Sequence, residues 1–307
     1  MTKHLFSKVA RRATAGVVAV ATAASLAACA DDDNDSEGDG PIRIGSTEAD
    51  KSQWQTFAEV AEEEGIDIDV VSFTDYVQPN RALDAGELDV NQFQHIQFLA
   101  EENVNAGYGL VPFGSSQTFP MGVYSKDAES VEDIAEVGEV VIPNDTTNQG
   151  RAIKVLAAAG LVTLRQDDLL TPTPADIDQD ASDVEVIAVE APQTAIAYND
   201  GQVAVINNNF LESAGVNAND AVYKDNPDDE SSLPYINVWV TTEENKDNED
   251  FQKLVELWHT DKVQEAVAND TSGTAVKAEF SADELEEILA DTEQKIREQD
   301  SPDDSDE

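Results

Sequence analysis

From Pro41 onward, short β-branched runs alternate with segments of helical length, and this alternation restricts the chain to an α/β architecture. Ile42-Arg43-Ile44 leads into a stretch where Trp54, Phe57 and Val60 share one helical face, and a helix stop is expected at Gly65. Ile66, Ile68 and Val70 then alternate with Asp67 and Asp69 up to Phe73, so the opening unit reads strand, helix, strand. Further strands are expected at 88–93, 110–113, 121–124, 139–142, 184–189, 203–206 and 235–240, most of them separated by helix-sized segments. Gly86, Gly107 and Gly160 suit the left-handed residue that ends a helix. Ser281-Ala282-Asp283-Glu284 has capping-box spacing ahead of Leu285, Ile288 and Leu289, so a last helix is expected there. No internal repeat is evident. With 307 residues, 40% of them hydrophobic, the chain can bury two cores, and two lobes make a cleft.

The N-terminus reads as an address. Lys3, Lys8, Arg11 and Arg12 precede an apolar stretch over 13–28, the pattern of a secretory signal peptide (1–28), too short for a membrane-spanning helix. It ends in Leu26-Ala27-Ala28-Cys29, which contains the only cysteine of the chain and is similar to a bacterial lipobox. That likeness implies cleavage before Cys29 and lipidation of its sulfur, with fatty-acyl chains such as palmitate holding the protein to the extracytoplasmic side of the cell membrane. An acidic tether (29–40) follows, and a similar acidic tail (299–307) closes the chain; neither has the periodicity of a folded element.

Charge and composition remove several functions. Lys and Arg number 18 against 64 Asp and Glu, a formal net charge of −46, so nucleic-acid binding, which needs cations to displace counterions, is not expected. The acidity reads as a solvated surface, and more sharply as adaptation to high external salt, where self-repulsion is screened. One Cys and three His leave little for a disulfide framework or a transition-metal site, and no G-x-S-x-G or H-E-x-x-H motif occurs. No enzyme activity, cofactor or resident metal is expected. A metal-binding receptor is the alternative kept open, since carboxylates are plentiful, together with a receptor for another amino acid or a peptide.

Three segments place polar or aromatic residues at strand ends, where ligands of open α/β sheets sit. They are Asn91 to Phe98 with the run Phe93-Gln94-His95, Val141 to Arg151 with Asn144 and Asp145, and Val205 to Phe210 with three consecutive Asn. In the second, helix-start N–H groups and Arg151 suit a carboxylate. Taken alone, the same residues read first as a capped helix, with Asp145, Thr146 or Thr147 as cap and Arg151 paired to a nearby acid. His95 likewise reads first as a packed core histidine, and the asparagine run as a turn.

Several ordered motifs nevertheless resemble one family, the methionine-binding lipoproteins of ABC importers, also called the NlpA lipoprotein family. Thr74-Asp75-Tyr76-Val77-Gln78-Pro79-Asn80 is similar to its N-D-Y-x-x-P-N, Phe93-Gln94-His95 to its F-Q-H, and Pro143 to Arg151 to its P-N-D-x-x-N-x-x-R. Ala191-Pro192-Gln193 and Tyr235-Ile236-Asn237 match its A-P-Q and Y-x-N, and the likeness runs from Ile42 to about Lys277. It implies a type II periplasmic-binding-protein fold: two α/β lobes, 41–124 with 238–298 and 125–237, joined by two chain crossings around a ligand cleft. It also implies a monomer that delivers methionine, of either hand or a close derivative, to an ABC permease and its ATPase. Carried over by position, Arg151 would hold the carboxylate and Asn144, Asn207 and Asn237 would supply amides, while Tyr76, Phe93, His95 and Phe98 would wall the side-chain pocket. The chain departs from the pattern at Phe98, where a Tyr is usual, and at Ser46 to Asp50, which lacks the usual Gly-Pro.

Overall fold

A computed structural model describes residues 40–300. The expected signal segment, Cys29 and nearly all of the two acidic ends lie outside those residues. Starting at β1 (Ile42–Ser46), the chain forms α1 (Ser52–Glu63), β2 (Ile68–Ser72), α2 (Gln78–Asp84), β3 (Val90–His95), α3 (Ile96–Ala106) and β4 (Leu110–Ser115). It crosses through the two-residue strand β5 (Gln117–Thr118) and builds a second layer from β6 (Gly122–Tyr124), α4 (Val131–Val137), β7 (Glu139–Pro143), α5 (Thr146–Ala158), β8 (Glu185–Val189), α6 (Ala191–Asn199), β9 (Ala204–Ile206), α7 (Leu211–Ala214) and β10 (Tyr223–Lys224). It then returns for β11 (Asn237–Thr242), α8 (Glu249–Trp258), α9 (Asp261–Asp270), β12 (Val276–Lys277) and α10 (Ala282–Asp300).

Two five-stranded sheets result, in the orders β2-β1-β3-β11-β4 and β10-β6-β9-β7-β8. In the first, β1 runs parallel to β2 and β3, and β11 is antiparallel to β3 and β4. In the second, β7 runs parallel to β8 and β9, whereas β6 is antiparallel to β9. Both sheets place the carboxyl ends of parallel strands beside the crossing, where helix N-termini and loops converge. Gly122–Tyr124, expected in the first lobe, belongs to the second sheet, and Asn237, expected in the second, opens β11 of the first. A three-residue apolar run carries no period that says which sheet it joins, so these boundaries depended on tertiary pairing.

Each layer has its own core. Trp54, Phe57, Trp239 and Trp258 are buried against the first sheet with ring centroids 5.0–5.9 Å apart, all six pairs in edge or tilted contact. Val140, Ile142, Ile153, Leu156 and Val205 pack the second. Local signals also materialise as expected. Gly107 ends α3 at φ 73°, and Ser281 and Glu284 exchange the bonds of a capping box before α10.

Candidate ligand site

Helix α5 begins at Thr146 because Asp145, one of the expected caps, caps it, and Thr146 to Gly150 continue the helix although most of them have weak propensity. Gly150 is required at its place, since a Cβ there would lie 2.9 Å from the Thr171 backbone. From this start, Asn148 and Arg151 fall three residues apart on one helical face and turn inward. Both are buried and line a cavity between the sheets. Asn144 does not. It precedes the cap, its side chain is exposed, and Asn148 takes the place expected for it.

The other seven expected residues are brought together: Tyr76, Phe93, His95, Phe98, Arg151, Asn207 and Asn237 all line this one cavity. The strand ends explain why. His95 closes β3, Asn207 follows β9, and Asn237 opens antiparallel β11 opposite His95, so strands running in both directions deliver side chains to the same edge. Tyr76, Phe93 and Phe98 form an aromatic wall with centroids 5.9–6.3 Å apart. Sequence reasoning missed Thr47, Glu48, Asn148, Asn208, Asn209 and the crossing residues Phe119 to Met121. Glu48 lies in the Ser46 to Asp50 loop, where the chain departs from the family pattern. Its carboxyl is buried and pushed above its ordinary value by desolvation, with Lys51 at 3.9 Å partly opposing.

Arg151 has the acid partner of its plainer reading and also reaches the cavity wall. Its Nε donates to Asp225 Oδ2 at 2.9 Å, its Nη2 donates to the Phe119 carbonyl at 2.7 Å, and its guanidinium stacks on the Tyr235 ring at 4.2 Å. The acid partner therefore exists, yet Nη1 has no partner among the described residues and the group lies in the cavity wall. His95 accepts from the Phe98 N–H through Nδ1 at 3.1 Å, which leaves Nε2 as the protonated nitrogen, buried and without a partner. Burial first and the Arg151 cation second lower its pKa to about 3, so the ring is a neutral donor at physiological pH.

That shift has a sign that can be measured. The unfolded chain takes up the proton near the ordinary 6.5 and the folded one only near 3, so His95 costs no stability above that upper value and destabilises progressively as pH falls between the two. The wild type is expected to lose up to about 1.4 kcal/mol more per pH unit than His95→Asn over this window. Parallel unfolding curves for the two proteins would contradict the buried neutral ring.

The two lobes touch across the cavity. Tyr76, kept protonated by burial, donates from its hydroxyl to Asn209 Oδ1 at 2.6 Å, and Asn209 donates in turn to Thr47 Oγ1 at 3.5 Å. Phe210 packs on Tyr76 at 5.6 Å, and Lys51 Nζ lies 3.5 Å from Glu212 of the facing lobe. Among the described residues, no group of three or more His, Cys, Asp or Glu is arranged to hold a metal ion, and no helix is long and apolar enough to cross a membrane.

The sequence profile of the NlpA lipoprotein family matches residues 42–279, most of the chain. The chain belongs to the NlpA lipoprotein family. Among curated members it is 37% identical over 231 residues to the D-methionine-binding lipoprotein MetQ of Salmonella typhi, covering 73% of this chain and 84% of that protein. Among solved structures it is similar to protein PG110 from Staphylococcus aureus, with a TM-score of 0.77 and 34% identity over 82% of this chain and 99% of that one. A nutrient-binding protein from Burkholderia cenocepacia, solved bound to methionine, aligns with a TM-score of 0.71 and 31% identity over 77% of this chain and 99% of that one. This NlpA lipoprotein thus has the expected type II periplasmic-binding-protein fold, two α/β lobes around a cleft.

Proposed function

We propose that this NlpA lipoprotein is a lipid-anchored extracytoplasmic receptor that captures methionine, of either hand, and delivers it to an ABC permease and its ATPase. The carrying observation is a pair of buried polar atoms left without partners beside one aromatic wall, His95 Nε2 as donor and Asn207 Oδ1 as acceptor, with the Arg151 guanidinium in the same cavity lining and no hydrogen bond from its Nη1 among the described residues. Two donors suit a carboxylate and the acceptor suits an ammonium, so the polar groups match a zwitterion. The rings of Tyr76, Phe93 and Phe98 suit a polarizable thioether, each contact contributing on the order of 0.3–1.5 kcal/mol. Relatives named for methionine binding support the ligand, and their description as lipoproteins supports attachment through Cys29. Holding a cargo for transfer needs no covalent step.

Binding stabilises closure because the ligand contacts both lobes, and only such differential contact shifts an open–closed equilibrium. Calorimetric titration with L- and D-methionine tests the reading directly; a protein that takes up neither would overturn it. Asn237→Ala is expected to weaken methionine at least about tenfold while the protein stays folded, because its side chain lines the cavity whereas the sheet contacts of its backbone remain. An unfolded variant would assign Asn237 to the fold instead.

A further inference from the structure

We infer that Asp145 is a positioning residue that fixes which end of the Asn207 amide meets the ligand's ammonium, an inference that rests on the amino-acid-binding reading above. The argument is one of donors and acceptors. Asp145 Oδ1 accepts from the Asn148 backbone N–H at 3.0 Å and from the Asn148 side-chain Nδ2 at 2.7 Å. An oxygen facing two N–H donors accepts from both, and it does so whether the carboxyl is ionised or carries a proton on Oδ2. Asn148 must therefore turn its NH2 toward Asp145 and its oxygen the other way.

That oxygen accepts from Asn207 Nδ2 at 2.8 Å. The second amide is now oriented as well: with its NH2 committed to Asn148, Asn207 presents Oδ1, which is buried and has no hydrogen-bond partner. Asn148 is only 3% exposed and both asparagines line the cavity, so neither amide is free to reverse without stranding a buried donor. The chain Asp145, Asn148, Asn207 thus converts a carboxylate outside the ligand's reach into an acceptor within it. Because Asp145 also caps the helix that carries Arg151, one side chain orders the groups at both ends of a zwitterion.

Asp145→Asn separates these roles. Asparagine is as good a helix cap, so α5 and Arg151 stay in place, but its own amide no longer dictates the direction of the relay. The full-length protein, wild type and Asp145→Asn, is titrated with L-methionine and with des-amino methionine, the same carboxylate and thioether without the amine. The variant is expected to bind methionine about tenfold more weakly or worse, and to bind the des-amino acid within about twofold of the wild type. In an Asn207→Ala background the same substitution is expected to cost less than about threefold, because the relay then has no end.

An unchanged methionine affinity overturns the inference, as does an equal loss for both ligands, which would mark a purely structural cap, or a loss that multiplies fully with Asn207→Ala. If Asp145→Asn fails to fold, Asp145→Ser keeps a cap and answers the same comparison. A wild type that binds the des-amino acid as tightly as methionine also overturns it. A wild type that binds no methionine overturns the proposed function, a result distinct from a binding wild type whose variant is unmoved.

Discussion

Arg151→Ala is expected to weaken methionine binding at least about tenfold and up to roughly a hundredfold. A hydrogen bond to a charged group contributes about 1.5–3 kcal/mol, and each 1.4 kcal/mol is a factor of about ten. The substitution also removes the cation that faces Asp225 at 2.9 Å and the donor to the Phe119 carbonyl, so the crossing segment beside the cavity loses an anchor. Arg151→Lys keeps the charge but neither the fork nor the plane that stacks on Tyr235, and an intermediate loss is expected. Calorimetry distinguishes the two roles of this side chain. A loss confined to thermal stability, with affinity retained, would show that Arg151 serves Asp225 alone and takes no part in holding the guest.

Trp239→Ala is expected to have the largest effect on stability, about 3–5 kcal/mol. Trp239 is fully buried on β11, a strand flanked on both sides, and its ring meets Trp54, Phe57, Phe113 and Trp258 at once. Truncation leaves a cavity whose walls are other large rings, which relax poorly. In a domain of this size the midpoint of thermal unfolding should fall by roughly 10 °C. Since the same strand begins with Asn237, the variant should also lose affinity near its lowered midpoint while retaining it well below. A midpoint within about 2 °C of the wild type would show that the ring cluster is dispensable.

Much of the fold was legible because it rests on local patterns. The alternation around Ile66 to Val70, the glycine at 107 and the Ser281–Glu284 box each encode their element within a few residues. The strand ends at Phe93 to Phe98 and at Asn207 marked candidate segments, but taken alone they read as core and turn, and it was the ordered family motifs that picked out the cavity residues. What was not legible depends on the far side of the cleft. Asn148 acquires its place from a helix start hidden under Thr, Asn and Gly, and its exchange with Asn144 is a shift of one helical turn. Thr47 and Asn209 meet only because two lobes meet, at a separation of 162 residues along the chain. Glu48 carries no periodicity at all; only the tertiary packing that buries it shows that it belongs to the cavity wall.

The three tryptophans of the chain, Trp54, Trp239 and Trp258, all belong to the single ring cluster of the first lobe and are each 2% exposed or less. Their ultraviolet emission therefore reports the packed interior of that lobe, none of the three lines the cavity, and energy migrates among indoles so closely spaced. Intrinsic fluorescence will follow global melting well and cargo capture poorly. An optical assay of capture needs a dye on the opposite lobe, and Ile196→Cys would supply a thiol for it at an exposed position of α6 that does not line the cavity.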